Sequence, residues 1–218
     1  ITVGRLDGMP LDQEERTMAG PLRLPCMTLM PGDHECGFYY GEAERDALLM
    51  PFLSGALRGG DKCIAVVDSL APVDLRARLG DIVDLDDCLG SGQLELYDAE
   101  QTYLQRGTFD EECMIAFWEA RAQALQEEAS YGFAWVLGEM SWMDRVPPRR
   151  DSVVRYESWA NAFVDRFPQA VLCLYDLAKV GGGVRLDLIK THPRILMGGL
   201  LLENPHHLTG DEFSIAHA

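Results

Sequence analysis

The chain has 218 residues, 47% of them hydrophobic, and a formal net charge of −16. That length and apolar content suit a single three-layer domain better than two small ones. The 19 basic residues are scattered among 35 acidic ones, which argues against direct binding to nucleic acid or to an anionic membrane surface. No apolar run reaches the ~20 residues that span a bilayer, and the N-terminus lacks the pattern of a signal peptide, so the expected compartment is the cytoplasm.

Residues 1–24 mix Gly, Pro, Met and charges without periodicity and read as an irregular N-terminal leader, leaving 25–218 as one domain. Organisation begins at "CGFYY", a short strand. "ERDALLMPFLSGALRGG" places Leu48, Leu49, Phe52, Leu53, Ala56 and Leu57 on one helical stripe that stops at Gly59-Gly60. "KCIAVVD" is a buried strand, "SLAPVDLRARLG" a short helix started by Ser69 or Pro72, and "QLELYD" the next strand.

"FDEECMIAFWEARAQALQEEASYG" is a long amphipathic helix with acids in its first turn, and "FAWVLGEMSW" runs from strand into loop. "SVVRYESWANAFVDRF" is a second amphipathic helix, "AVLCLYD" a fully apolar strand, and "GGGVRLDLIKTHP" a glycine linker with a short helix. "ILMGGLLLENP" closes with one or two weak strands. Apolar strands alternating with helices predict an α/β fold: a mostly parallel sheet, three-layered, with helices on both faces. Six cysteines (Cys26, Cys36, Cys63, Cys88, Cys113, Cys173) contain no CxxC pair, so a disulfide scaffold is not expected.

Ligands of open parallel sheets bind beyond the carboxyl ends of the strands. The first such turn, "YYGEAERDALL", follows Gly41 with Glu42, Glu44 and Asp46 and carries no second glycine, lysine or Ser/Thr. A phosphate loop needs those groups, and carboxylates there would repel a triphosphate. The acids suit the positive end of a helix dipole instead. "HECGFYY" brings His34, Cys36, Tyr39 and Tyr40 to the first strand. His34 and Cys36 could supply two ligands to zinc or haem iron, with the remainder from distant residues such as His192, Cys173 or Cys113.

"LGEMSW" ends a strand in Glu139, a lone carboxylate beside Trp142, with Met140, Tyr156 and Tyr175 as candidate lining of a small amphipathic pocket. Pro193 makes His192 extended at a helix end, where its imidazole can face the sheet or cap carbonyls. No GxSxG elbow and no GxGxxG follow a strand, so hydrolase and dinucleotide readings lack support.

Taken in order, "HECGFYY", "PFLSGALRGGDKCIAVVD", "TYLQRGTFD", "GEMSW", "RYESWANAF", "VLCLYD" and "THPRILMGGLLLENP" resemble the successive blocks of the MEDS domain, a sensory domain of methanogens, methylotrophs and a dichloromethane-responsive regulator. The resemblance covers about residues 33–213. It implies a RecA/KaiC-like layout without a phosphate loop and a non-enzymatic sensor of simple hydrocarbon derivatives in signal transduction or transcription control. It implies ligand-binding roles for His34, Cys36, Tyr39, Glu139, Trp142, Tyr156, Tyr175 and His192. Its expected partners are a small-molecule ligand and a protein signalling partner, whether kinase, anti-sigma factor or transcription module, with no catalytic residue and no cofactor. Ala134 and Trp135 stand where many relatives would carry a basic residue. Three alternatives stay open: a degenerate nucleotide-binding switch or ATPase using Glu139, a metal or haem sensor using His34 and Cys36, and a pure interaction module.

Overall fold

A computed structural model describes residues 20–25, 27–127, 130–208 and 212. The irregular leader expected over 1–24 therefore lies outside the described residues up to 19. At its end, β1 (Leu22–Leu24) pairs antiparallel with β2 (Met27–Leu29) in a hairpin that packs on the first helix. Three-residue strands are too short to show a period in sequence, which is why this hairpin was not legible there.

The main sheet is assembled from β3 (His34–Tyr39), β4 (Lys62–Val66), β5 (Leu94–Tyr97), β6 (Ala134–Glu139), β7 (Gln169–Asp176), β8 (Arg194–Met197) and β9 (Leu200–Glu203). Their spatial order is β5-β4-β6-β7-β3-β8-β9, and every neighbouring pair is parallel except β8 with β9. Strands β3, β4, β6 and β7 are buried at every position. Strand β6 shows why: Trp135 and Leu137 enter the core on one face, Ala134 and Val136 the core on the other. A strand covered on both sides has no wet face, so it reads as a continuous apolar run.

Helices α1 (Gly41–Arg58), α2 (Pro72–Gly80) and α3 (Leu85–Gly90) cover one face with the β1–β2 hairpin. Helices α4 (Glu111–Glu127), α5 (Arg150–Arg166) and α6 (Gly182–Thr191) cover the other. The architecture is the expected three-layer, mostly parallel α/β fold. Pro72 opens α2 at its first turn, where a missing N–H costs nothing. The six-residue α3 escaped the sequence reading because its first turn is a cluster of aspartates; Asp84 caps it by accepting from the Asp87 N–H at 3.1 Å. The closing segment resolves into two strands, reversed at Gly198 and Gly199 with φ of 58° and 76°, values that glycine adopts without strain.

One connection positions everything that follows. Strand β3 ends at Tyr39 and α1 begins at Gly41, so Tyr40 alone separates them. Gly41 turns the chain with φ of 67°. A phosphate loop of about eight residues has no room between this strand and this helix.

Candidate functional site

At the carboxyl edge of the sheet, Glu139 ends β6 fully buried. Its Oε1 accepts from the Tyr39 hydroxyl at 2.5 Å and from the Ser141 N–H at 3.2 Å. Its Oε2 accepts from the N–H groups of Asp68 (3.0 Å) and Ser69 (2.8 Å), just past β4, and from Ser141 Oγ at 2.9 Å. A carboxylate offers roughly four lone-pair positions, so these donors saturate it. An acid held this way ties the ends of three strands together and has no acceptor capacity left for magnesium or a nucleophilic water. Burial, reinforced by the adjacent Glu139 carboxylate, pushes the Tyr39 phenol far up, so it stays a neutral donor.

The rim of this knot is ionic. Arg145 pairs with Asp68 at 2.6 Å and Glu100 at 3.0 Å, and the buried Arg45 donates to Ser69 O and Oγ at 3.0 Å each. At the neighbouring turn the Tyr40 N–H donates to Glu44 Oε2 at 2.7 Å. The acid of the first turn thus closes the helix start on itself, as capping chemistry requires.

A second cluster lies on the face under α5 and α6. His34 opens β3, Glu157 comes from α5, Cys173 from the middle of β7, and His192 from the residue after α6. These four are 0–2% exposed. Glu157 Oε2 stands 3.3 Å from His34 Nε2 and 3.1 Å from His192 Nε2, and Cys173 Sγ is 3.6 Å from His34 Nε2. The Tyr175 hydroxyl donates to the other oxygen, Glu157 Oε1. Burial alone would raise Glu157, but the two imidazoles hold it well below the usual carboxylate range. Burial and the neighbouring His34 lower His192, while burial and Glu157 drive the Cys173 thiol well up. Beside this cluster lies a groove of about 230 Å³, lined by Asp33, His34, Glu35, Asn161, Arg194 and others. Burial raises Glu35 in its wall to about 7 against the attraction of Arg194.

The third feature is an aromatic compartment between α4, α5 and the sheet. Tyr103, Trp118, Val136, Tyr156, Trp159, Phe163 and Cys173 enclose a cavity of only about 10 Å³, barely one water. Two tyrosine hydroxyls and one indole N–H are paired internally: Trp118 Nε1 donates to the Tyr156 hydroxyl at 2.8 Å, and the hydroxyls of Tyr103 and Tyr156 lie 3.3 Å apart. Trp142 stacks on Tyr103 with ring centres 5.1 Å apart, and its buried indole N–H has no acceptor among the described residues.

The residues expected to share one pocket thus fall in three places. Tyr39 and Glu139 meet at the carboxyl edge. Trp142 and Tyr156 join the aromatic compartment. His34, Tyr175 and His192 meet around Glu157, and Cys36 is fully buried on the same side, paired in register with Cys173. Glu157 was missed. Its signal was its place on the helix: it follows Val153 by four residues and precedes Ala160 by three, so a carboxylate sits inside the buried stripe of α5. His192 caps Leu188 O with Nδ1 at 2.7 Å, while its Nε2 turns to Glu157 on α5.

Comparison with known proteins agrees with this layout. The chain is 25% identical over 162 residues to a transcriptional repressor, DcmR, of Methylorubrum extorquens, a match covering 73% of this chain. The chain spans 58% of that relative's length. In fold it is similar to the flagellar accessory protein FlaH of Methanocaldococcus jannaschii (TM-score 0.56, 11% identity, 84% of each chain). It is also similar to the KaiC-like protein PH0186 of Pyrococcus horikoshii (TM-score 0.52, 10% identity, 76% of this chain and 70% of the other). The sheet with its flanking helices is therefore of the RecA/KaiC-like kind. The family model of the MEthanogen/methylotroph, DcmR Sensory domain matches residues 33–193, from the start of β3 to the start of β8, and the chain belongs to this MEDS family.

Proposed function

We propose that this chain is a non-enzymatic sensor domain of transcription control that takes a small apolar or weakly polar molecule, a simple hydrocarbon derivative, into its aromatic compartment. The observation that carries this reading is the compartment itself: a ring-lined space whose tyrosine hydroxyls and Trp118 N–H satisfy one another, with the Trp142 N–H nearby as a buried donor lacking an acceptor among the described residues. Such a lining rewards shape and apolar contact and offers a guest little beyond one hydrogen bond.

Because the cavity holds barely one water, a guest must part α4 and α5 from the sheet. Binding then favours an opened state over the closed one, which is the differential affinity a sensor requires. The opened surface is read by a protein partner, a kinase, anti-sigma factor or transcription module. The membership in a sensory family, the repressor relative, and the absence of any described helix long and apolar enough to cross a membrane support a cytoplasmic regulator. The one-residue turn before α1 and the saturated Glu139 weigh against a nucleotide switch.

Thermal unfolding with dichloromethane, short alcohols and other one- to four-carbon compounds tests this, with Mg-ATP as the contrast. A rise in melting temperature with a hydrocarbon derivative, accompanied by a change in fluorescence of Trp118 and Trp159, is expected. Stabilisation by Mg-ATP, or hydrolysis lost in Glu139→Gln, overturns the reading.

A further inference from the structure

We propose that His34, Glu157, Cys173 and His192 bind one divalent transition-metal ion of the zinc class, an assignment independent of the sensor reading above. Their ligand-type atoms all lie within 4.8 Å of one another, although the four residues come from four separate parts of the chain. A tetrahedral shell with bonds of ~2.0–2.3 Å places its ligand atoms roughly 3.3–3.8 Å apart. The separations of 3.1, 3.3 and 3.6 Å are already close to that spacing.

Hydrogen bonding fixes which way the imidazole lone pairs point. His192 Nδ1 lies 2.7 Å from Leu188 O, which can only accept, so Nδ1 carries the proton. His34 Nδ1 lies 2.9 Å from Asn161 Oδ1, and Asn161 is oriented by its own amide donating to Thr191 O at 2.8 Å. The His34 proton is therefore on Nδ1 as well. In the neutral rings both Nε2 atoms turn lone pairs inward, onto Glu157 Oε2, which is itself an acceptor.

The centre of the cluster thus collects three acceptors, Glu157 Oε2 and the two Nε2 atoms, against one weak donor, the Cys173 thiol 3.6 Å from His34 Nε2. Among the described residues Glu157 Oε2 and His192 Nε2, 3.1 Å apart, have no hydrogen-bond partner, although both residues are 0% exposed. Buried polar atoms left in this state are costly, and a cation at the centre removes the cost at all of them together. The surroundings are those of metal ligands: Asn161 and Leu188 O hold the imidazoles by the far nitrogen, and Tyr175 occupies Glu157 Oε1, leaving Oε2 free to coordinate. Cys173 completes the set as thiolate, its proton passing to water as the ion enters. The groove beside His34, with Asp33 and Glu35 in its wall, is the approach for the ion.

Cobalt(II) and zinc binding to the chelator-treated, purified chain tests the assignment. One cobalt per chain is expected, with the visible bands of a tetrahedral site and a sulfur-to-cobalt charge-transfer band, discharged by zinc. Cys173→Ser removes the sulfur band, and His192→Gln weakens cobalt binding at least tenfold. Asn161→Ala keeps all four ligands and weakens it by ~10–100-fold, the usual cost of a lost outer partner. Tyr39→Phe, at the other end of the sheet, leaves binding unchanged. Where a ligand variant fails to fold by circular dichroism, the wild-type spectrum and Asn161→Ala decide. A folded wild-type chain that takes up neither ion, or uptake that His192→Gln, Cys173→Ser and Asn161→Ala leave unchanged, overturns the proposal. So does a metal-free nitrogen-15 spectrum with both imidazoles fully protonated at neutral pH together with no metal uptake.

Discussion

Tyr39 and Glu139 lie one hundred residues apart in sequence and share a 2.5 Å hydrogen bond across the end of β7. Removing the phenol oxygen leaves Glu139 Oε1 with the Ser141 N–H only, so Tyr39→Phe should destabilise the fold by about 1–2 kcal/mol. Glu139→Gln is worse, because an amide NH₂ must face donors from Asp68, Ser69 or Tyr39; about 2–4 kcal/mol is expected. Urea unfolding of both variants measures this, and equal stabilities would contradict the saturated carboxylate.

The aromatic compartment makes a second prediction through Gly138. A Cβ there would meet the Tyr103 hydroxyl at 2.6 Å. Gly138→Ala should therefore push Tyr103 off Trp142 and away from Tyr156, costing about 1–3 kcal/mol and altering tryptophan fluorescence. Wild-type fluorescence and stability in this variant would mean that the ring has room to yield.

Trp159 makes a third. It packs at a tilt against Phe163 with centroids 4.6 Å apart, and this half-buried side chain lines the compartment. Trp159→Ala should cost about 3–5 kcal/mol and enlarge the cavity enough to admit a small apolar guest. Benzene or dichloromethane should then raise the melting temperature of the variant more than that of the wild type, as calorimetry can read. A variant indifferent to both compounds would show that the space collapses.

A fourth concerns pH. Lys62 is 3% exposed and pairs with Glu95 at 2.9 Å, and Glu95 also accepts from Tyr97 and meets Arg121. Burial opposes ionisation of Glu95, but these donors and cations lower its pKa below the ordinary value. A carboxylate lowered in the folded state takes up protons more readily in the unfolded one. Its stabilisation is therefore complete above the ordinary value near 4.5 and is lost as pH falls from there through the folded-state value. Glu95→Gln should cost about 1–3 kcal/mol at pH 7 and show a shallower loss below pH ~4.5 than the wild type. Parallel pH profiles for the two proteins would contradict this.

Much of the fold could be read from the chain because its core strands are covered on both faces. "KCIAVVD", "FAWVLGE" and "AVLCLYD" are continuous apolar runs, and the helices between them carry a clear period. The elements β1, β2 and α3 were not readable, since two three-residue strands make no apolar run and α3 opens in a cluster of aspartates. The clusters were legible as residue types and not as groupings. His34, Tyr175 and His192 were visible in sequence, but only the β3–β7–β8 register and the packing of α5 bring them to Glu157. Glu157 itself was camouflaged in a helix whose other acids point to solvent, and Cys173 looked like one more small hydrophobe in an apolar strand.

The single residue between β3 and α1 has a practical corollary. Replacing Glu42, Glu44 and Asp46 with glycine, lysine and serine would supply the chemistry of a phosphate grip without the length of chain to wrap one. A library of point variants at this turn, screened for ATP, should return nothing, whereas grafting several extra residues ahead of Gly41 could. Distance along the backbone, more than charge, separates this molecule from nucleotide chemistry, and spacing of that kind is not crossed one substitution at a time.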